Sequence, residues 1–222
     1  MKVTTNGFLI HARDYKETSS IINIFTSEKG IQSLLFKGKY KNKDQFKFSI
    51  FNEYSFIYDD KYNLPYLSKF ELITDYPFDK KYYLLGLYIN ELLYKTLKEG
   101  FDFDAIYLHY RDFLVNLSNS SDSSSRLALL FEKKLLQDLG YELTMSDNFK
   151  LRKDLLYDYD LNDGFRINSS SENIESIPGN KLELFFMNTL TCEKTIIILR
   201  IIIRRIFKQI YPDLNLVGDK LF

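Results

Sequence analysis

Side chains able to do chemistry are few in this chain, and most stand at the wrong spacing for it. Asp158, Asp160 and Asp163 precede Gly164 loosely in the manner of a calcium loop, but Ser169 occupies the position where a bidentate Glu is needed. A metal-dependent nuclease built on these three carboxylates is the most enzyme-like reading; a solvated hairpin is the plainer one. His11 and His109 have no partner at metal-ligand spacing. Cys192, the one cysteine, begins an apolar helix with no histidine nearby in sequence, which suits a buried, inert thiol. It also excludes an internal disulfide and a cysteine-rich zinc site. No Gly-rich phosphate loop, GxSxG elbow or HExxH is present. The residues therefore predict a protein that binds rather than catalyses, with no cofactor.

Charge patterning is more informative. Lys37, Lys39, Lys41, Lys43 and Lys47 crowd into the stretch LLFKGKYKNKDQFK, opposed by Asp44, although the whole chain balances 30 basic against 30 acidic residues. Tyr40, Phe46 and Phe48 interleave with them. Lysines neutralise phosphates and aromatic faces stack unpaired bases, so this pattern predicts a nucleic-acid surface, with Arg13 adding to its rim. A second pattern lies near the C-terminus. Arg200, Arg204 and Lys208 recur every four residues and would form a basic stripe, beside an apolar face of Leu199, Ile202, Ile203, Ile206 and Ile210. Such a stripe suits phosphate or an acidic peptide.

The elements that position these residues fall into two blocks. Phe8–Ala12, Ser20–Thr26, Gln32–Phe36, Tyr54–Tyr58 and Tyr66–Glu71 are β-branched, aromatic or alternating, with turn signals between them. Five short strands in residues 1–78 predict a small closed barrel of the OB type, with the lysine run following its third strand. After Pro77 the period becomes helical, over about 80–98, 103–117 and 125–139, the last stopped by Gly140. A small hairpin is expected at 155–168 within an irregular stretch of about 145–180, then helices over about 181–190 and 193–211. The fold class is α+β: a five-stranded barrel over 1–78, then a mainly helical domain over 79–222. The most apolar segment, 196–203, is interrupted by Arg200 and too short to span a bilayer. With no signal-like N-terminus, the expectation is a cytoplasmic protein.

Several motifs, in order, resemble the RecO family of bacterial recombination mediators. These are Tyr15-Lys16-Glu17-Thr18-Ser19, Phe25-Thr26-Ser27-Glu28-Lys29-Gly30, the Lys37-Gly38 step, LYINELLYKTL (87–97) and FEKKLLQDLGYEL (131–143). Lys220-Leu221-Phe222 is similar to a Glu-Leu-Phe near the family's end. The resemblance implies an OB-fold followed by a helical domain, and nucleoid-associated work on single- and double-stranded DNA. It also implies strand annealing and loading of RecA, together with RecR, RecF and single-strand-binding protein, without catalysis. Two departures stand out. Many members carry a four-cysteine zinc site in the segment matching 145–180, where this chain has no cysteine, so no metal is carried over. Leu129 and Leu130 replace residues that are often arginine in the family, where the helical domain is thought to take the acidic, Phe-ended tail of single-strand-binding protein. Arg126 stands one turn before Leu130 and, with Arg200 and Arg204, is expected to restore the charge; Lys133 and Lys208 complete the expected partner surface. On physical grounds alone an RNA-binding OB protein fits the barrel equally well.

Overall fold

The computed structural model describes residues 1–37, 49–146, 150–168 and 175–220, and the chain divides into two compact units. Met1–Ser120 with Leu216–Leu221 form the first, and Ser121–Asn215 the body of the second.

Among the described residues the first unit has five strands, β1 (Lys2–Tyr15), β2 (Ser19–Thr26), β3 (Gly30–Lys37), β4 (Glu53–Asp59) and β5 (Tyr66–Thr74). They hydrogen-bond in the order β1-β2-β3-β5-β4, and β4 pairs back along β1 from Lys2↔Asp59 to Phe8↔Glu53, closing the barrel. Leu9, Ile22, Ile24, Leu34, Tyr54, Phe56, Tyr58 and Leu67 fill its interior. The observed β1 extends well beyond the expected Phe8–Ala12. Its charged and polar flanks hid it, because only one face there needs cover and Val and Thr already favour the pleat.

Strand β2 is apolar on both faces for a reason the structure makes plain. Successive strand residues point to opposite sides: Ile24 enters the barrel, whereas Phe25 lies outside it with its cross-strand partner Phe8. The helix α2 (Asp104–Asn119) covers that outer pair. Tyr107 and Tyr110 meet Phe8 at centroid distances of 4.9 Å, and Tyr107 meets Phe25 at 5.5 Å. The helix α1 (Tyr83–Thr96) buries Leu85, Tyr88, Ile89, Leu92 and Leu93, at the i, i+3, i+4 spacing that a helix uses to cover a core. Both helices thus belong with the barrel in one compact unit. The change of periodicity near residue 78 marks a change of secondary structure, while the compact units part near Ser120.

The second unit holds α3 (Ser124–Asp138), a three-stranded sheet of β6 (Leu156–Asp160), β7 (Gly164–Ile167) and β8 (Ile177–Pro178), α4 (Gly179–Phe186) and α5 (Glu193–Ile210). Ser123 caps α3 by accepting from Arg126 N at 3.2 Å. Gly140, at φ 89°, ends it, with Tyr141 N donating back to Leu136 O at 2.9 Å. Among the described residues no helix is long and apolar enough to cross a membrane.

Candidate nucleic-acid and partner surfaces

Of the expected phosphate-binding cations, Arg13 and Lys37 are described, and both are exposed. Lys39, Lys41, Lys43 and Lys47 lie outside the described residues. Register places Tyr15, Ser19 and Lys37 in one row across three strands, with Arg13 two residues along β1. Arg13 and Lys37 therefore share the outer face at one end of these strands. Lys37 Nζ stands 4.3 Å from the centroid of the Tyr66 ring, a cation–π contact.

The basic stripe of the last helix does not form as expected. Arg200 is buried, 4% exposed, against the fully buried Glu132 of α3. Its Nη2 donates to Glu132 Oε1 at 2.8 Å, and its Nε reaches both carboxylate oxygens at 3.1–3.2 Å. A guanidinium buried on an apolar face requires such a partner, so Arg200 braces α5 against α3 and is not a docking residue. Arg204 is half-buried; Lys208 is exposed. Arg205, beside them, is clamped by Glu175 at 2.5 and 2.6 Å.

Arg126 is also engaged inside its own unit. It pairs with Asp122, and its Nε and Nη2 donate to Leu190 O and Asn188 O at 2.9 and 3.0 Å. It therefore secures the segment between α4 and α5 and does not line the pocket at Leu130. The charge beside Leu130 comes from α3 itself. Leu130, Lys133, Lys134, Leu143 and Phe186 line a pocket of about 490 Å³, which Glu142 also borders. Lys133 lies 4.5 Å from the Phe185 ring centroid and donates to Phe185 O at 2.9 Å and Asn188 Oδ1 at 2.8 Å. It thereby caps the carbonyl end of α4. Burial lowers its pKa, since the ammonium has given up part of its hydration.

The enzyme-like candidates have structural duties. Asp160 accepts from Asn162 N at 2.9 Å and Asp163 N at 3.3 Å, forming the β6–β7 turn, and these bonds hold its carboxyl below its usual pKa. Asp158 accepts from Ser176 Oγ at 2.6 Å. Among the described residues no three His, Cys, Asp or Glu side chains are grouped to hold a metal. His11 contacts Asn23 Oδ1 through Nδ1 at 3.2 Å and stacks on Tyr94. Cys192 departs from expectation: it is half-exposed, and hydrogen bonds from Thr195 at the start of α5 draw its thiol pKa down.

Two adjoining family models match residues 1–185 of the chain. The N-terminal model for recombination protein O covers residues 1–76, and the C-terminal model covers 77–185. The chain belongs to the RecO family. It is 33% identical over 138 residues to the DNA repair protein RecO of Hamiltonella defensa, covering 61% of this chain and 59% of that protein. The corresponding protein of Psychromonas ingrahamii is 29% identical over 147 residues, covering 64% and 62%. That of Haemophilus influenzae is 31% identical over 138 residues, covering 61% and 58%. The chain thus matches about three-fifths of the length of these curated relatives.

Three of the RecO motifs, the Asn-Glu-Leu-Leu run, the Phe-Thr-Ser-Glu-Lys-Gly turn and the Phe-Glu pair, are scaffold. Asn90 of the Asn-Glu-Leu-Leu run is buried; it donates to Ile10 O at 3.1 Å and accepts from Tyr110 OH at 2.5 Å, joining β1, α1 and α2. Glu91 receives Val217 N and Gly218 N, both at 2.9 Å, and so holds the returning C-terminal segment on α1. In the Phe-Thr-Ser-Glu-Lys-Gly turn, Thr26 Oγ1 donates to Gly30 O at 3.2 Å. Lys29 O receives Gly100 N at 3.0 Å, and Ser27 O receives Phe103 N at 2.7 Å, so the turn docks on the α1–α2 connection. Glu132 of the Phe-Glu motif is the buried partner of Arg200. Sequence reasoning also missed Glu53, which accepts from Tyr107 OH at 2.7 Å and Tyr76 OH at 3.2 Å in the same unit. Burial and that carboxylate push the Tyr107 phenol far above its usual range.

Proposed function

We propose that this RecO-family protein is a non-enzymatic mediator of recombinational DNA repair. The outer face of the barrel around Arg13 and Lys37, together with Lys39, Lys41, Lys43 and Lys47, which follow in the sequence, binds single- and double-stranded DNA through backbone phosphates. Two strands neutralised by one cationic surface repel each other less, so the same face promotes annealing. RecR, RecF and single-strand-binding protein are its partners in loading RecA, and it works in the cytoplasm on the nucleoid. The observation that carries this reading is the consecutive match of both recombination protein O models over residues 1–185.

The pocket on α3 supports the partner reading. Leu130, Leu143 and Phe186 offer apolar lining, while Lys133 and Lys134 supply cations beside it, the combination that an acidic tail ending in Phe requires. The tail is thereby assigned to Leu130 and Lys134, with Lys133 adding its charge while its ammonium donates to Phe185 O, Phe186 O and Asn188 Oδ1, and Arg126 and Arg200 are left as braces.

Annealing of complementary labelled strands, followed by energy transfer without nucleotide, tests the function. Wild-type protein accelerates it, and a variant with Lys37, Lys39, Lys41 and Lys43 changed to Ala loses most of the acceleration. Equal rates with and without wild-type protein would refute the proposal.

A further inference from the structure

The turn between β4 and β5 carries an aromatic pair. Tyr66 opens β5 and lies opposite Leu35 at the parallel β3–β5 junction. Leu35 N donates to Pro65 O at 2.8 Å, tying the turn to β3. Tyr62 meets Tyr66 at 5.2 Å between centroids with the rings at 89°, and Tyr62 is still 57% exposed. Lys37 Nζ lies over Tyr66, so an ammonium stands one ring away from the exposed one. Asp59 and Asp60, the nearby carboxylates, accept from the Met1 ammonium at 3.0 and 3.1 Å, which lessens their repulsion of an approaching anion.

These features suit one kind of ligand. Tyr62 presents an aromatic surface on a turn anchored at its far end, so little conformational freedom is lost when a second ring stacks on it. A nucleobase supplies that ring, and its phosphate finds the Lys37 ammonium close by. In duplex DNA the base faces already stack on one another, so an exposed tyrosine gains nothing comparable there. We propose that Tyr62, backed by Tyr66 and Lys37, is a stacking platform for an unpaired base, giving the barrel a preference for single-stranded over duplex DNA. This rests on the DNA-binding reading above and adds the source of strand preference.

The chain has no Trp, so Tyr62→Trp introduces a sole indole whose emission reports stacking directly. Titration with oligothymidylate is expected to quench it, and titration with duplex of equal length to leave it unchanged. In parallel, Tyr62→Ala is expected to weaken single-strand binding by about fivefold or more, the low end of one base–aromatic stack, with duplex affinity unchanged. Tyr62 is exposed, so neither substitution disturbs a packed core. Single-strand binding without quenching, or equal losses on both DNA forms, overturns the platform and leaves the DNA-binding reading standing. Failure of wild-type protein to bind either form overturns both.

Discussion

Replacing Arg200 with Met separates a structural arginine from a docking one. Arg200 is 4% exposed and Glu132 is fully buried, with N···O distances of 2.8–3.2 Å between them. Removing the guanidinium takes the Arg200 hydrogen bonds and charge from a fully buried carboxylate, which costs about 3–5 kcal/mol. With a urea m-value of about 1–3 kcal/mol/M, the unfolding midpoint of the unit falls by about 1 M or more. The double variant Glu132→Leu with Arg200→Met removes both charges, and its midpoint recovers to near or above wild type, because a well-packed apolar pair matches or exceeds a buried ion pair. Urea titration followed by far-UV circular dichroism reads all three proteins. A midpoint unchanged by Arg200→Met alone would refute the buried-brace assignment and return Arg200 to the surface stripe.

Two further outcomes follow from single positions. Gly30 has φ 64°, and a Cβ there would lie 2.5 Å from Lys98 O, whereas Gly100, at φ 91°, has open space around it. Gly30→Ala is therefore expected to lower Tm by more than Gly100→Ala, which bears only the left-handed backbone cost of about 1–2 kcal/mol; equal shifts in thermal unfolding would contradict the docked turn. The Cys192 thiol has its pKa lowered chiefly by hydrogen bonding with Thr195. Its thiolate therefore forms at lower pH than that of a free cysteine, whose pKa is about 8.5. Alkylation by iodoacetamide should reach half its maximal rate below that pH, and Thr195→Val should move the profile upward. A profile that does not move would show that Thr195 has no such effect.

Local pattern made most elements visible, and tertiary pairing set the limits. The strands around Ile24, Leu34 and Phe56 and the helix around Leu92 announce themselves through alternation and 3.6-residue spacing. Arg200 was misplaced because every-fourth spacing marks a stripe without saying whether the stripe faces water. A signal was present: Arg200 stands between Leu199 and Ile201–Ile203, and Glu132 has Ala128, Leu129, Leu135 and Leu136 three and four residues away, so each charge falls on an apolar face of its own helix. Their meeting across 68 residues is a property of the packed unit. The Tyr62–Tyr66 pair was hidden in the same way, since the parallel β3–β5 junction alone brings Lys37 to it. The family motifs were legible early because scaffold residues such as Asn90 and Glu91 answer to fixed backbone geometry. The phosphate-facing residues need only charge and exposure, which leave a weaker mark on sequence.

The most direct test of the account is the salt dependence of single-stranded DNA binding, measured by fluorescence anisotropy. Wild-type protein is compared with the variant in which Lys37, Lys39, Lys41 and Lys43 are Ala. Each lysine–phosphate contact contributes about −0.7 to the slope of log K against log[salt], so three or four contacts account for roughly −2 to −3. The variant is expected to bind more weakly, with a slope flatter by that amount. Tight binding by the variant with the wild-type slope would contradict it and remove the DNA from the barrel.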